Sequence, residues 1–227
     1  MPKYPQSNLI HRLFTKGQPL AVGKGEIILG NDPVPDGVYY INTGYVKIYS
    51  ISDRGDEYVH VIYGNGEIFP LIWAYLNVTP ESLYYQSISD CEIWRISRSS
   101  FDQQLQQDHE LANAMTIQLA HQFLIYSDRV DNLEYKNLEE RVAYRLLFLA
   151  SRFGYKDANE TVIDAPITHE LFADSINIAR ESASRVMEKF EKQKIIKKIN
   201  SRIHILDMDA LSKKLSKPVN LDNWYLN

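Results

Sequence analysis

Four side chains within six positions carry the most pointed chemistry in this 227-residue chain: Arg180, Glu181, Ser184 and Arg185. They sit in "SINIARESASRVMEKFEKQ", residues 175–193. On a helix they share one face. Arginine can donate two hydrogen bonds to guanine O6 and N7, glutamate can accept from cytosine N4, and serine can reach several base edges or a phosphate. Together they offer donors and acceptors to a few adjacent base pairs. The plainer use is a solvated helix surface, with Glu181 and Arg185 paired four residues apart for ~0.3–0.5 kcal/mol. The two uses are compatible, because such a pair can hold Arg185 toward a base.

The local charge agrees with a polyanion partner. The whole chain carries −4. Residues 1–165 hold 14 Lys and Arg against 21 Asp and Glu, whereas residues 177–217 hold 11 against 5. An acidic body with a basic C-terminal piece points to nucleic acid at that piece. A chance excess of cations on a wet surface is the competing account.

The elements that must position these residues are legible around them. "ITHELFADS" opens with Thr168, a good N-cap, and Glu170 in the first turn, followed by apolar Leu171 and Phe172. Asn177 tolerates a left-handed turn. A longer helix over about 178–193 then has an inner stripe of Ala183, Val186, Met187 and Phe190. Two helices joined by a short turn make a helix-turn-helix, whose second helix enters the major groove. "IIKKINSRIHIL" predicts two short strands around Asn200-Ser201, a wing, and Asp207 caps a last helix. Thr168, Lys189 and Arg202 join the DNA-facing set, and Lys192, Lys197 and Lys198 are further candidate phosphate contacts.

Upstream, residues 20–97 read as β structure. Tyr-, Val- and Ile-rich runs are separated by "INTG", "SDRGD" and "YGNG", and many short strands at this spacing predict a barrel or double-sheet roll. No glycine or proline interrupts the chain between Pro80 and Gly154, which permits long helices past Ser97. Leu119, Phe123, Tyr126, Val130 and Leu133 form an apolar seam. It packs either on the β domain or on the same helix of a second chain. The flanking Gln118, Gln122, Asp128 and Arg129 favour the second chain. "NLEERVAYRLLFLASRF" predicts a helix burying Val142, Leu146 and Leu149, and "GYKDANETVIDAP" reads as a polar loop. The expected fold class is α+β, with a β-roll over 1–108, a long dimerisation helix over 109–137 and a winged helix-turn-helix over 138–227.

Several classes fall away. One cysteine, Cys91, excludes a disulfide framework, a cysteine-ligated iron–sulfur cluster and a multi-cysteine zinc site; it reads as a buried small apolar residue. A β-roll metal enzyme of the cupin type needs several histidines with a carboxylate, and the β region offers only His60. His11, His109 and His121 lie in no haem motif. No phosphate-cradling glycine loop or Gly-x-Ser-x-Gly element is present. We therefore expect no enzyme activity, metal or cofactor, and neither a signal peptide nor a membrane-spanning segment, hence a cytoplasmic protein.

"GEIILGNDPVPDGVYYINTGYVKIY", "CEIWRISRSSFDQQL" and above all "RESASRVMEKFEKQKII" resemble the opening β-roll, the last strands with the following short helix, and the recognition helix of the Crp/Fnr family of bacterial transcription regulators. The resemblance spans roughly residues 15–210. It implies a cyclic-nucleotide-binding-like β-roll and a homodimer on double-stranded DNA with RNA polymerase as a partner. It also implies a palindromic operator with TGA-containing half-sites, read by Arg180, Glu181, Ser184 and Arg185. Ala179 departs from the usual Ser or Thr N-cap. The effector region departs further. Where cyclic-AMP-binding members carry Gly-Glu and an Arg-Ser pair, this chain has Pro70-Leu71 and Glu81-Ser82. A carboxylate facing a phosphate is repulsive and Pro70 lacks an N–H donor, so no cyclic nucleotide is expected. The effector pocket, if one is used, would involve Phe69, Leu71, Glu81, Ser82 and Tyr84 with Tyr126 and Ser127 of the long helix. Its aromatic residues, Tyr63, Phe69, Trp73, Tyr75, Tyr84 and Tyr85, are either core packing or the wall for an apolar or peptide-like effector. A β-roll sensor or protein-interaction module without DNA binding is the alternative function.

Overall fold

The computed structural model describes residues 7–30, 34–78, 82–135 and 137–217. The chain forms two compact units that divide between Ile125 and Tyr126.

The first unit opens with α1 (Ser7–Phe14) and then a roll of two antiparallel sheets. Its strands are β1 (Gln18–Val22), β2 (Ile27–Leu29), β3 (Val38–Thr43), β4 (Val46–Ile51), β5 (Glu57–Tyr63) and β6 (Ile68–Phe69). After α2 (Leu71–Leu76) come β7 (Tyr84–Ser87) and β8 (Cys91–Ile96). One sheet runs β1-β8-β3-β6 and the other β2-β7-β4-β5. Consecutive β3 and β4 lie in different sheets, so the chain must turn sharply at Gly44, where φ is 101°. A Cβ there would stand 2.5 Å from Cys91 Sγ and 2.6 Å from the Asp90 carbonyl. Both the left-handed backbone and the close approach demand glycine. Cys91 itself is buried, and burial pushes its thiol pKa up.

The β reading over 20–97 holds except at α2. "LIWAYL" lacks strand alternation, and it buries Leu71, Trp73 and Ala74 together as one helical face. The N-terminal α1 is also additional to the sequence reading. Its Ile10, Leu13 and Phe14, at helical spacing, pack into a core with Val38, Tyr40 and Ile96. That core extends to Phe101 of α3 (Arg98–Gln107) and Met115 of α4 (His109–Glu134).

The 26-residue α4 runs through the division between the units. Phe123 and Val130 of the predicted seam are 72% and 62% exposed and Tyr126 is 38% exposed, whereas Leu119 packs partly on the first unit's core. The Leu133 side chain lies outside the described residues. Gln118, Gln122 and Asp128, read as polar flanks, are buried instead. Their polarity is satisfied internally where partners are resolved: Gln122 Nε2 donates to the Ile68 carbonyl at 2.9 Å, and Asp128 accepts from Tyr144 Oη at 2.5 Å. Amphipathic spacing alone cannot reveal such a polar buried face.

The second unit contains α5 (Leu138–Phe153), β9 (Gly154–Asp157), β10 (Glu160–Ile163), α6 (His169–Ser175), α7 (Arg180–Lys192), β11 (Ile196–Ile199), β12 (Arg202–Ile205) and α8 (Met208–Ser212). Val142, Leu146 and Leu149 of α5 are buried, as their spacing predicts. "GYKDANETVIDAP" is not a plain loop. It forms the β9–β10 hairpin, turning at Ala158 with φ 51°. β10 pairs with β12, giving a four-stranded sheet β11-β12-β10-β9. Runs of four residues are too short to show periodicity, and the central pairing of β10 is a long-range contact. No described helix is long and apolar enough to cross a membrane.

Candidate nucleic-acid interface

The helix-turn-helix is built as its residues require. Thr168 Oγ1 accepts the Leu171 N–H at 3.1 Å and starts α6. Asn177 takes φ 52° in the turn. Phe172 of α6 and Ala183, Val186, Met187 and Phe190 of α7 are buried, fixing the inner stripe. Ala179 stands at the N-cap of α7 with extended backbone and no side-chain cap, which forgoes about 1 kcal/mol relative to Ser or Thr.

Arginines brace the turn, and the sequence reading missed them. Arg129 donates to Asn177 Oδ1 at 3.3 Å, Arg141 to the Ile176 carbonyl, and Arg145 Nε to Ser175 Oγ at 3.0 Å. Arg145 is buried and also lies 5.0 Å over the Phe148 ring. The only sequence signal for this role was an arginine at 141 and 145 on the apolar side of α5.

With its stripe buried, α7 presents Arg180, Glu181 and Arg185 to solvent, with Ser184 half-buried beside them. The paired-surface reading of Glu181 with Arg185 is not what forms: Arg185 donates to Ser182 Oγ at 3.2 Å, one turn back on the helix. Ser184 Oγ lies 2.9 Å from Nδ1 of His169, the first residue of α6. Burial lowers the His169 pKa, with Lys198 and Arg180 pushing the same way.

The wing is present as β11 and β12. Asn200 and Ser201 take φ 48° and 65°, as a two-residue hairpin turn needs. Several candidate phosphate contacts already face carboxylates. Arg202 meets Asp164 at 2.7 Å, Lys189 meets Glu139, and Lys197 meets Glu160, which also accepts from His204 at 2.9 Å. The Lys197 and His204 hydrogen bonds hold the Glu160 carboxyl below its usual range. Asp207 caps α8 through the Ala210 N–H at 2.8 Å.

The roll carries a separate, open cavity of about 910 Å³. Its wall includes Ile28, Pro70, Trp73, Leu83 and Tyr85, with Glu26, Asp36, Tyr39 and Arg95 as polar groups. Arg95 donates to Asp36 and to Gln18 Oε1, and Tyr39 donates to the same Asp36. Of the effector residues expected from sequence, Phe69 stacks between Tyr39 and Tyr85. Leu71 is buried in the α1 core. Tyr84 stacks on Tyr49. Ser82 has φ 65°. Glu81 lies outside the described residues. Tyr126 and Ser127 belong to the second unit, on α4. Tyr63, Phe69, Trp73 and Tyr85 are core residues; Tyr75 is partly exposed and meets Phe101 edge-on. His60 contacts Ser50 Oγ at 2.9 Å, and His11 lies 5.0 Å from the Trp94 ring.

A family profile described as a cyclic nucleotide-binding domain matches residues 19–108, and one described as a Crp-like helix-turn-helix domain matches residues 140–214. The cAMP-activated global transcriptional regulator CRP of Haemophilus influenzae is 26% identical over 162 residues, covering 70% of each chain. The nitrogen fixation regulation protein FixK of Azorhizobium caulinodans is 28% identical over 207 residues, covering 87% of this chain and 79% of that one. The solved structure of FixK2 from Bradyrhizobium japonicum superposes with a TM-score of 0.76 at 22% identity, over 89% of this chain and 99% of the other.

Proposed function

This chain belongs to the Crp/Fnr family of DNA-binding transcriptional regulators, and we propose that it works as a homodimer on a palindromic operator, with RNA polymerase as partner and without a cyclic nucleotide. The observation that carries the reading is the two-sided character of α7. Its apolar stripe is consumed by the fold, while Arg180, Glu181 and Arg185 stay exposed with Ser184 between them. The fold engages this face only through the Ser184–His169 and Arg185–Ser182 contacts, and its four residue types suit base edges. Thr168 at the start of α6 and Lys189, Lys192, Lys198 and Arg202 flank it and serve the phosphates.

The exposed Phe123 and Val130 support pairing of α4 with its copy. A two-fold dimer places two α7 helices on half-sites about one helical turn apart, ~34 Å. The likeness of "RESASRVMEKFEKQKII" to the family motif supports a TGA core in each half-site. Cyclic nucleotides are disfavoured by the roll. Pro70 has no N–H to give a phosphate. The cavity's Arg95 is already engaged by Asp36 and Gln18, and Glu26 and Asp36 repel an anion.

Selection of bound sequences from a random duplex library, with purified protein and no ligand, tests the reading. Enrichment of a palindrome with TGA-containing half-sites is expected, and Arg185→Ala should relax one guanine position by ~1–3 kcal/mol. No enrichment, together with no salt-sensitive gel shift, would favour a sensor module that does not bind DNA. Titration calorimetry with cyclic AMP and cyclic GMP should show no micromolar binding.

A further inference from the structure

We infer that His169 sets the hydrogen-bond polarity of Ser184, and so decides which base edges Ser184 can read. The inference rests on the proposed role of α7 as the base-reading helix. Its basis is the 2.9 Å contact between His169 Nδ1 and Ser184 Oγ, which joins the first residue of α6 to the middle of the exposed face of α7.

A serine hydroxyl has one proton to donate and two lone pairs. When the neutral ring carries its proton on Nε2, Nδ1 is bare, the hydroxyl proton is committed to the ring, and Ser184 turns only lone pairs toward the groove. It then suits the amino groups of cytosine N4 and adenine N6. If Nδ1 carries a proton, the ring donates to Oγ and the hydroxyl proton is released. Ser184 then suits the acceptors guanine O6 and N7 or thymine O4. One proton on a residue that need not touch a base thus inverts what its neighbour recognises.

The His169 ring is half-buried. Arg180, Glu188 and Glu191 face it from α7 and Lys198 from β11, with Glu170 next to it on α6. The ring makes no other hydrogen bond among the described residues, so Nδ1 is its only protein-bound nitrogen. Burial, the largest influence, and the cations Lys198 and Arg180 lower its pKa, while Glu191 and Glu188 oppose them. The phosphates of a bound duplex act in the opposite direction and ease its protonation in the complex.

The test is selection from a random duplex library at about pH 5 and about pH 8, using the full-length protein, His169→Phe and Ser184→Ala. The wild-type motifs should agree everywhere except at one position per half-site. There the contacted base should shift from cytosine or adenine at high pH toward guanine or thymine at low pH, by about fivefold, the worth of one net hydrogen bond. His169→Phe should still enrich the rest of the motif, and neither variant should show the shift. A wild-type motif that is the same at both pH values overturns the inference while leaving the DNA-binding reading intact. A shift that survives in both variants overturns it as well. Failure of the wild type to enrich any sequence at either pH overturns the DNA-binding reading, and this inference with it.

Discussion

Replacing Asp128 by Asn should make the protein more stable at neutral pH. Asp128 is 7% exposed on α4 and accepts a hydrogen bond from Tyr144, itself buried on α5. Burial is the main influence on its carboxyl and pushes the pKa from 3.8 up to about 7, against the opposing pull of the Tyr144 hydrogen bond and of Arg145. The folded protein therefore holds this proton to a higher pH than the unfolded chain does. Its contribution to stability is intact below about pH 4 and is lost as pH rises toward 7. A shift of about three units is at most ~4 kcal/mol. Asn at 128 keeps an acceptor for Tyr144 and never ionises. Urea unfolding followed by circular dichroism, at one protein concentration and several pH values, measures the difference. The variant should match the wild type near pH 4 and gain steadily up to pH 8. A difference that is flat with pH, or that grows toward acid, refutes the assignment of burial as the ruling effect.

Ala179→Ser supplies the missing cap of α7 and should stabilise the protein by about 1 kcal/mol in thermal unfolding, without altering the bound sequence. Phe172→Ala empties a fully buried site on α6; it should cost ~3–5 kcal/mol and abolish DNA binding in a gel shift. Phe123→Glu puts like charges at the proposed pairing of two α4 helices, and sedimentation should then find monomers where the wild type gives dimers.

Much of the candidate interface is legible because its signals are local. The cap at Thr168, the turn at Asn177, the stripe from Ala183 to Phe190 and the hairpin at Asn200-Ser201 each depend on a few adjacent residues. What escaped was non-local. Arg141 and Arg145 brace the turn from a helix about 30 residues upstream, and helical periodicity shows them only as polar residues on an apolar side. β10 reads as loop because its partner, β12, lies 40 residues away. In α4 Phe123 and Val130 of the expected seam are exposed, while polar Gln122 and Asp128 are buried. A pattern that sorts residues into apolar-inside and polar-outside has no place for such a helix.

Lys189, Lys197 and Arg202 each face a carboxylate of their own domain: Glu139, Glu160 and Asp164. These anions are tethered counterions. A phosphate that takes one of the cations displaces a fixed carboxylate rather than a mobile salt ion, so part of the usual entropy of ion release is missing. Were these cations the phosphate contacts, the domain's pull toward arbitrary DNA would be weakened, while the proposed base contacts of α7, which face no such carboxylate, would be untouched. Among the millions of wrong sites in a genome, such an arrangement would shorten the time spent on each and leave the choice of site to the proposed reading face of α7.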